Sequence, residues 1–147
     1  MSGLRLDRER ARREAERFRA ESRELSDAVE RDALTGIGNR RAFDRALGAL
    51  LAQGGVRCSL ALVDCDDFKA VNDRASHLAG DRVLQRIAGV LAHASRRSDV
   101  AARFGGDEFA VVFADAGVDE AAGVCERIRA AIERHADDGA PRVTVSI

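Results

Sequence analysis

The stretch RFGGDEFAVVF, Arg103–Phe113, decides the fold of this chain. It sets two glycines and two carboxylates between a phenylalanine and an unbroken apolar run. Glycine tolerates φ > 0 and allows a tight reversal, so the stretch predicts a β-hairpin. One strand spans about Asp99–Phe104 and the next Glu108–Phe113, with Gly105 and Gly106 between them. Asp107 and Glu108 then stand at the hairpin tip, where an ordinary polar turn would also place them.

Working outward, VRCSLALVDCD (Val56–Asp66) reads as a strand, apolar enough for a buried, central position, with Asp64 and Asp66 at its C-terminal end. The next residues, DDFKAVND, read as a turn and a short helix. A helix over about Ala79–Ala94 places Val83, Leu84, Ile87, Val90 and Leu91 on one face. Asn39 is placed to cap a helix running to about Gln53, which Gly54-Gly55 ends. An amphipathic helix follows over 118–135, and RVTVSI at the end begins another strand. Helix, strand, helix, hairpin, helix, strand predicts an α/β (α+β) domain: a mixed central sheet flanked by helices.

Composition narrows the function. With 46% hydrophobic residues and one proline among 147, the chain can bury a real core. Its net charge of −1, and the absence of Tyr and Trp, argue against nucleic acid as a partner. Three widely spaced cysteines without a CxxC read as reduced thiols rather than a disulfide frame or zinc site. No apolar run approaches a membrane span, and a cytoplasmic location is expected.

Residues 1–31 form a separate expectation. Apolar residues recur every seven positions at Leu4, Ala11, Phe18 and Leu25, with Ala15 and Val29 in a second row that Arg8 and Ser22 interrupt. This is a weak heptad seam for a coiled-coil signalling linker. A solvated, salt-bridged helix fits the same pattern. The domain proper is expected over 32–147.

If hairpin and central strand are neighbours, Asp64 and Asp66 meet Asp107 and Glu108 at one rim. Clustered carboxylates repel unless a cation neutralises them, and hard oxygen donors with phosphate suit Mg²⁺. Lys69 adds a positive charge beside a strand-to-helix turn that could receive phosphate. It is the single lysine in a chain whose 24 basic residues are otherwise arginine. A carboxylate at Asp81 accepts from guanine's N1–H and amino group, and the amide of Asn72 can serve as donor or acceptor. Surface polar residues would look the same.

Together DALTGIGNRRAF, DCDDFKAVND, HLAGDRVL and RFGGDEF resemble the GGDEF family of diguanylate cyclases over Asp32–Ile147. The resemblance implies a palm-like fold similar to nucleotidyl cyclases and polymerases, and condensation of two GTP to cyclic di-GMP. It implies Mg²⁺ (or Mn²⁺) held by Asp64, the Cys65 backbone carbonyl, Asp107 and Glu108, with Glu108 and Asp107 catalytic. It assigns guanine to Asn72 and Asp81, and sets His77 beside the nucleotide, although spacing alone makes His77 a packed residue at a helix start. Phe68 and Lys69 would belong to the phosphate turn, and Gly105 and Gly106 would make room for GTP. Arg96 and Asp99 match the family's RxxD inhibitory site, with five residues between Asp99 and Gly105. Arginine forks there suit the product's phosphates and guanine edge. A capped turn with an ion pair would have the same sequence.

Because each domain holds one GTP, the resemblance implies a homodimer with facing half-sites. Two departures stand out. Ser76 occupies a position where the family usually has glycine, and the family's further hairpin and basic final helix are expected beyond TVSI, so on that pattern the chain is truncated. The alternative function is a GTP or cyclic di-GMP binding module without turnover.

Overall fold

In the computed structural model, residues 3–134 and 139–147 are described, the side chains at 3–5, 27 and 28 excepted. The side chain of Leu4 in the heptad row and residue 135 of the expected last helix lie outside these. The chain separates into two units, one reaching to Arg31 and one spanning Asp32–Ile147.

The first unit is one helix, α1 (Gly3–Glu30). Arg12 and Glu16 pair across one turn at 3.0 Å. Leu6, Phe18, Leu25 and Val29 are exposed along it, so the helix holds no core of its own.

The second unit runs β1 (Gly38–Asn39), α2 (Arg40–Ala52), β2 (Cys58–Cys65), α3 (Phe68–Arg74), α4 (His77–Ala94), β3 (Val100–Gly105), β4 (Glu108–Ala114), α5 (Val118–Arg134) and β5 (Val145–Ser146). The sheet order is β1-β3-β4-β2-β5. Only β1 and β3 pair in parallel; the other neighbours are antiparallel.

This mixed sheet with flanking helices is the expected class, but its centre differs. The middle strand is β4, not β2. Phe109–Phe113 are buried without interruption because both faces of β4 are covered. Phe109, Val111 and Phe113 pack with Val83, Ile87 and Leu91 of α4 and Val124, Ile128 and Ile132 of α5. Ala110 and Val112 turn the other way, beneath Phe43, Leu47 and Leu50 of α2. Each large apolar side chain so buried contributes roughly 1.5–3 kcal/mol. In β2 burial alternates instead: Ala61, Val63 and Cys65 face the core, while Leu60 and Leu62 are exposed. β5 pairs only with Asp64 and Cys65, so no strand of the described residues covers the rest of that edge. The result is an apolar groove of about 650 Å³ bounded by Leu60, Leu62, Val118 and Ile147.

Helix boundaries follow from their caps. Asn39 accepts from the Ala42 N–H at 3.2 Å, as its N-cap position predicts. α4 starts two residues earlier than its apolar periodicity implies, because Ser76 accepts from the Ala79 N–H at 3.1 Å. The serine that departs from the family pattern is thus a helix cap. Two short strands depart from expectation. β1 has no apolar signature, and in RVTVSI only Val145–Ser146 form strand.

Candidate functional site

The hairpin brings the two acidic stretches together. β2 and β4 pair in a register that sets Asp64 directly opposite Glu108. The Cys65 N–H donates to the Asp107 carbonyl at 3.3 Å. Gly105 (φ +137) and Gly106 (φ +55) make the turn in conformations that favour glycine. A Cβ at either would meet no atom within 4 Å, so the turn faces open space. Asp64 and Glu108 are exposed and Asp107 is half-buried. Asp64 and Glu108 also edge a cleft of about 270 Å³ whose apolar walls are Leu62, Val63, Phe104 and Phe109.

Asp66 does not join this rim. Its carboxylate accepts from Thr144 Oγ1 and Ser146 Oγ, both at 2.6 Å. Those two hydroxyls hold its carboxyl below the ordinary carboxylate range. Asp66 therefore fastens β5, and the acidic group at the rim is Asp64, Asp107 and Glu108.

Among the described residues no three His, Cys, Asp or Glu side chains form a metal cage. The donors present still fit a hard cation. The Cys65 thiol is buried, which excludes it as a soft ligand at the rim. Burial first, then the charges of Asp107, Asp66 and Asp64, push this thiol up to about 12. A cation held by two or three carboxylate oxygens, with water and phosphate completing its shell, is the usual arrangement for Mg²⁺.

Arg103 braces the turn, a role its sequence context does not reveal. Its Nη2 and Nε donate to the Gly106 carbonyl at 2.7 and 3.0 Å. Nη1 lies 3.3 Å from both oxygens of Asp32. The Asp32 carboxylate also accepts from the Thr35 N–H and Oγ1 at 2.9 and 2.7 Å. No local pattern signals a pair 71 residues apart.

The second group lies on α3 and α4. Asn72 and Asp81 are half-buried, while His77 and Lys69 are exposed. Phe68 packs against the core rather than outward. Asn72 Oδ1 is buried beside Gly80, the residue that precedes Asp81 on α4. Asp67 opens α3 in the left-handed region (φ 53) without a side-chain capping bond.

Arg96 and Asp99 lie at the other end of the hairpin. Five residues of β3, 100–104, lie between Asp99 and the Gly105–Gly106 turn, about 20 Å from Asp99 to Gly105 along an extended strand. Asp99 accepts from the Arg96 N–H at 2.8 Å and the Ala114 N–H at 3.0 Å, closing the base of the hairpin. The Arg96 guanidinium pairs with Glu120 at the start of α5. Both residues are used in a capped turn, and the Arg96 fork remains exposed.

The family model described as diguanylate cyclase, GGDEF domain, matches residues 29–147. The probable diguanylate cyclase DgcE of Escherichia coli is 42% identical over 113 residues, 75% of this chain and 10% of that protein. The diguanylate cyclase DgcP of Pseudomonas aeruginosa is 43% identical over 104 residues, 69% of this chain and 16% of that protein. The coiled coil and GGDEF domain of DgcB from Caulobacter crescentus, solved with c-di-GMP, is similar with a TM-score of 0.75 and 30% identity, over 99% of this chain and 81% of that one. Diguanylate cyclase SiaD of Pseudomonas aeruginosa, solved with its activator SiaC, matches at TM-score 0.73 and 33% identity, over 97% and 59% of the two chains. The chain spans 10% of DgcE and 39% of the diguanylate cyclase DgcS of Shewanella oneidensis, so these relatives are much longer.

Proposed function

From the premise that the chain belongs to the GGDEF family of diguanylate cyclase domains, we propose that it condenses two GTP into cyclic di-GMP and two pyrophosphates. The observation that carries this reading is the register placing Asp64 opposite Glu108, with Asp107 beside Cys65. Asp64, Asp107, Glu108 and the Cys65 carbonyl would hold Mg²⁺ or Mn²⁺. When bound, the cation supplies charge neutralisation at the triphosphate.

The chain's own groups do the rest. Asn72 and Asp81 hold the base, the exposed His77 lies beside the nucleotide, and the exposed Lys69 serves its phosphates. The Glu108 carboxylate takes the proton of one GTP's 3′-hydroxyl as that oxygen bonds to the α-phosphorus of the other. The bond to pyrophosphate breaks in line, and a second, reciprocal transfer closes the ring. Each domain holds one GTP, so the reaction needs two copies facing each other. The exposed Phe18 and Leu25 of α1 support pairing through that helix, which we read as a coiled-coil linker preceding the domain over 32–147. No helix of the described residues is long and apolar enough to cross a membrane; GTP as substrate favours the cytoplasm.

Product would return to the exposed Arg96 and the half-buried Asp99. Their distance from the glycine turn makes such inhibition act away from the reacting atoms.

Residues 1–147 incubated with GTP and Mg²⁺ should form cyclic di-GMP, read by chromatography. GTP binding without product assigns a binding module instead, and neither binding nor product sinks both readings.

A further inference from the structure

Gly80 lies buried at the end of the first turn of α4, facing α3. A Cβ built on it would stand 2.0 Å from Asn72 Oδ1, 3.0 Å from Asn72 Cγ and 3.2 Å from Phe68 Cζ. Asn72 Oδ1 is buried there and accepts no hydrogen bond. The carboxamide is therefore positioned by shape: its oxygen occupies the volume a side chain at 80 would fill, a space that Phe68 Cζ also borders. Gly80 has no positive φ that would demand glycine. In a helix interior glycine is a worse residue than alanine. The helix would gain from a methyl group at 80, and the Asn72 carboxamide would lose its place.

We propose that Gly80 is a positioning residue for base recognition, its bare Cα setting the Asn72 carboxamide beside Asp81 so that the two act on guanine as one unit. This rests on the guanine reading above. The carboxamide ends a rotatable side chain, so a methyl group at 80 displaces it at little cost to the fold. Recognition and stability then respond to the same substitution in opposite directions, which a purely structural glycine does not do.

The test is calorimetric titration of residues 1–147 with GTP and with ATP in Mg²⁺, alongside thermal melts. Gly80→Ala should weaken GTP binding about tenfold, the scale of one lost hydrogen bond. It should narrow the preference over ATP and leave the melting temperature unchanged or higher. Asn72→Ala should weaken GTP similarly, and adding Gly80→Ala to it should cost nothing further. If Asn72→Ala weakens GTP and Gly80→Ala does not, or if the two losses add, this inference is overturned while the guanine reading stands. If the parent binds GTP no better than ATP, or Asn72→Ala changes nothing, the guanine reading falls and takes the inference with it. A Gly80→Ala chain that fails to fold also overturns the inference, because the inference requires the carboxamide, not the helix, to give way.

Discussion

Arg103 and Asp32 meet with Nη1 3.3 Å from both carboxylate oxygens, and their side chains are only 14% and 19% exposed. The same guanidinium holds the Gly106 carbonyl. One planar fork thus ties the turn that opens the domain to the turn that carries Asp107 and Glu108. A lysine could not serve both sides in this way.

Asp32→Asn should cost about 2 kcal/mol, the scale of a charged hydrogen-bonded pair shielded from water. Burial alone would raise the Asp32 carboxyl, but the Thr35 side-chain and backbone hydrogen bonds and the Arg103 charge together hold it below 3.8. A depressed carboxyl contributes stability that is complete above its unfolded value. That contribution is lost as pH falls through the lower, folded value. The gap in urea midpoint between parent and variant should therefore hold from pH 7 down to the unfolded value and narrow as pH falls below 3.8. Parallel curves across the range would remove Asp32 from the acid transition.

Asp64→Ala and Glu108→Ala should abolish turnover and leave the fold intact, since both side chains are exposed at the rim. Each relieves like-charge repulsion, so without divalent cation neither should melt below the parent. Mg²⁺ should raise the parent's melting temperature and EDTA should return it. An undiminished Mg²⁺ shift in Asp64→Ala would place the cation elsewhere.

Much of this site is readable in RFGGDEF and LALVDCD, because a glycine turn and a strand-end carboxylate are local signals. Asn39 is readable as a cap for the same reason. The sheet order is not local. A run such as LALV looks like a central strand, yet Leu60 and Leu62 are exposed, because burial is decided by which helix lies over a strand. Asp66 reads as one more rim carboxylate until Thr144 and Ser146, far along the chain, claim it. The bracing by Arg103, and the notch at Gly80, depend on contacts that no spacing rule encodes.

Arg96→Ala should weaken cyclic di-GMP binding at least tenfold while the fold is retained, because its exposed guanidinium pairs with the exposed Glu120 on the surface. Asp99→Ala is a poor test of the same site. It removes acceptors for the Arg96 and Ala114 N–H groups and should cost about 1 kcal/mol of stability. Calorimetry showing full product affinity in Arg96→Ala would dismiss the inhibitory site.

Cys65 should resist thiol reagents until the chain unfolds. With its thiol pushed up to about 12, only about one molecule in ten thousand is thiolate at pH 8, and burial blocks access besides. Titration with Ellman's reagent should find Cys65 silent in the folded chain and all three cysteines reactive in denaturant. Rapid native modification of Cys65, located by peptide mapping, would mean that this end of β2 opens readily.

Lys69 carries the only ε-amine in these 147 residues, and it is exposed on α3 three residues before Asn72. Arginine, fully protonated near neutrality, does not acylate under conditions that modify a lysine. A mild active ester of a fluorophore can therefore be directed along the body of the domain to one position beside the expected nucleotide, with no cysteine introduced and none of the three thiols engaged. The chain comes equipped with its own attachment point for an optical reporter of nucleotide arrival.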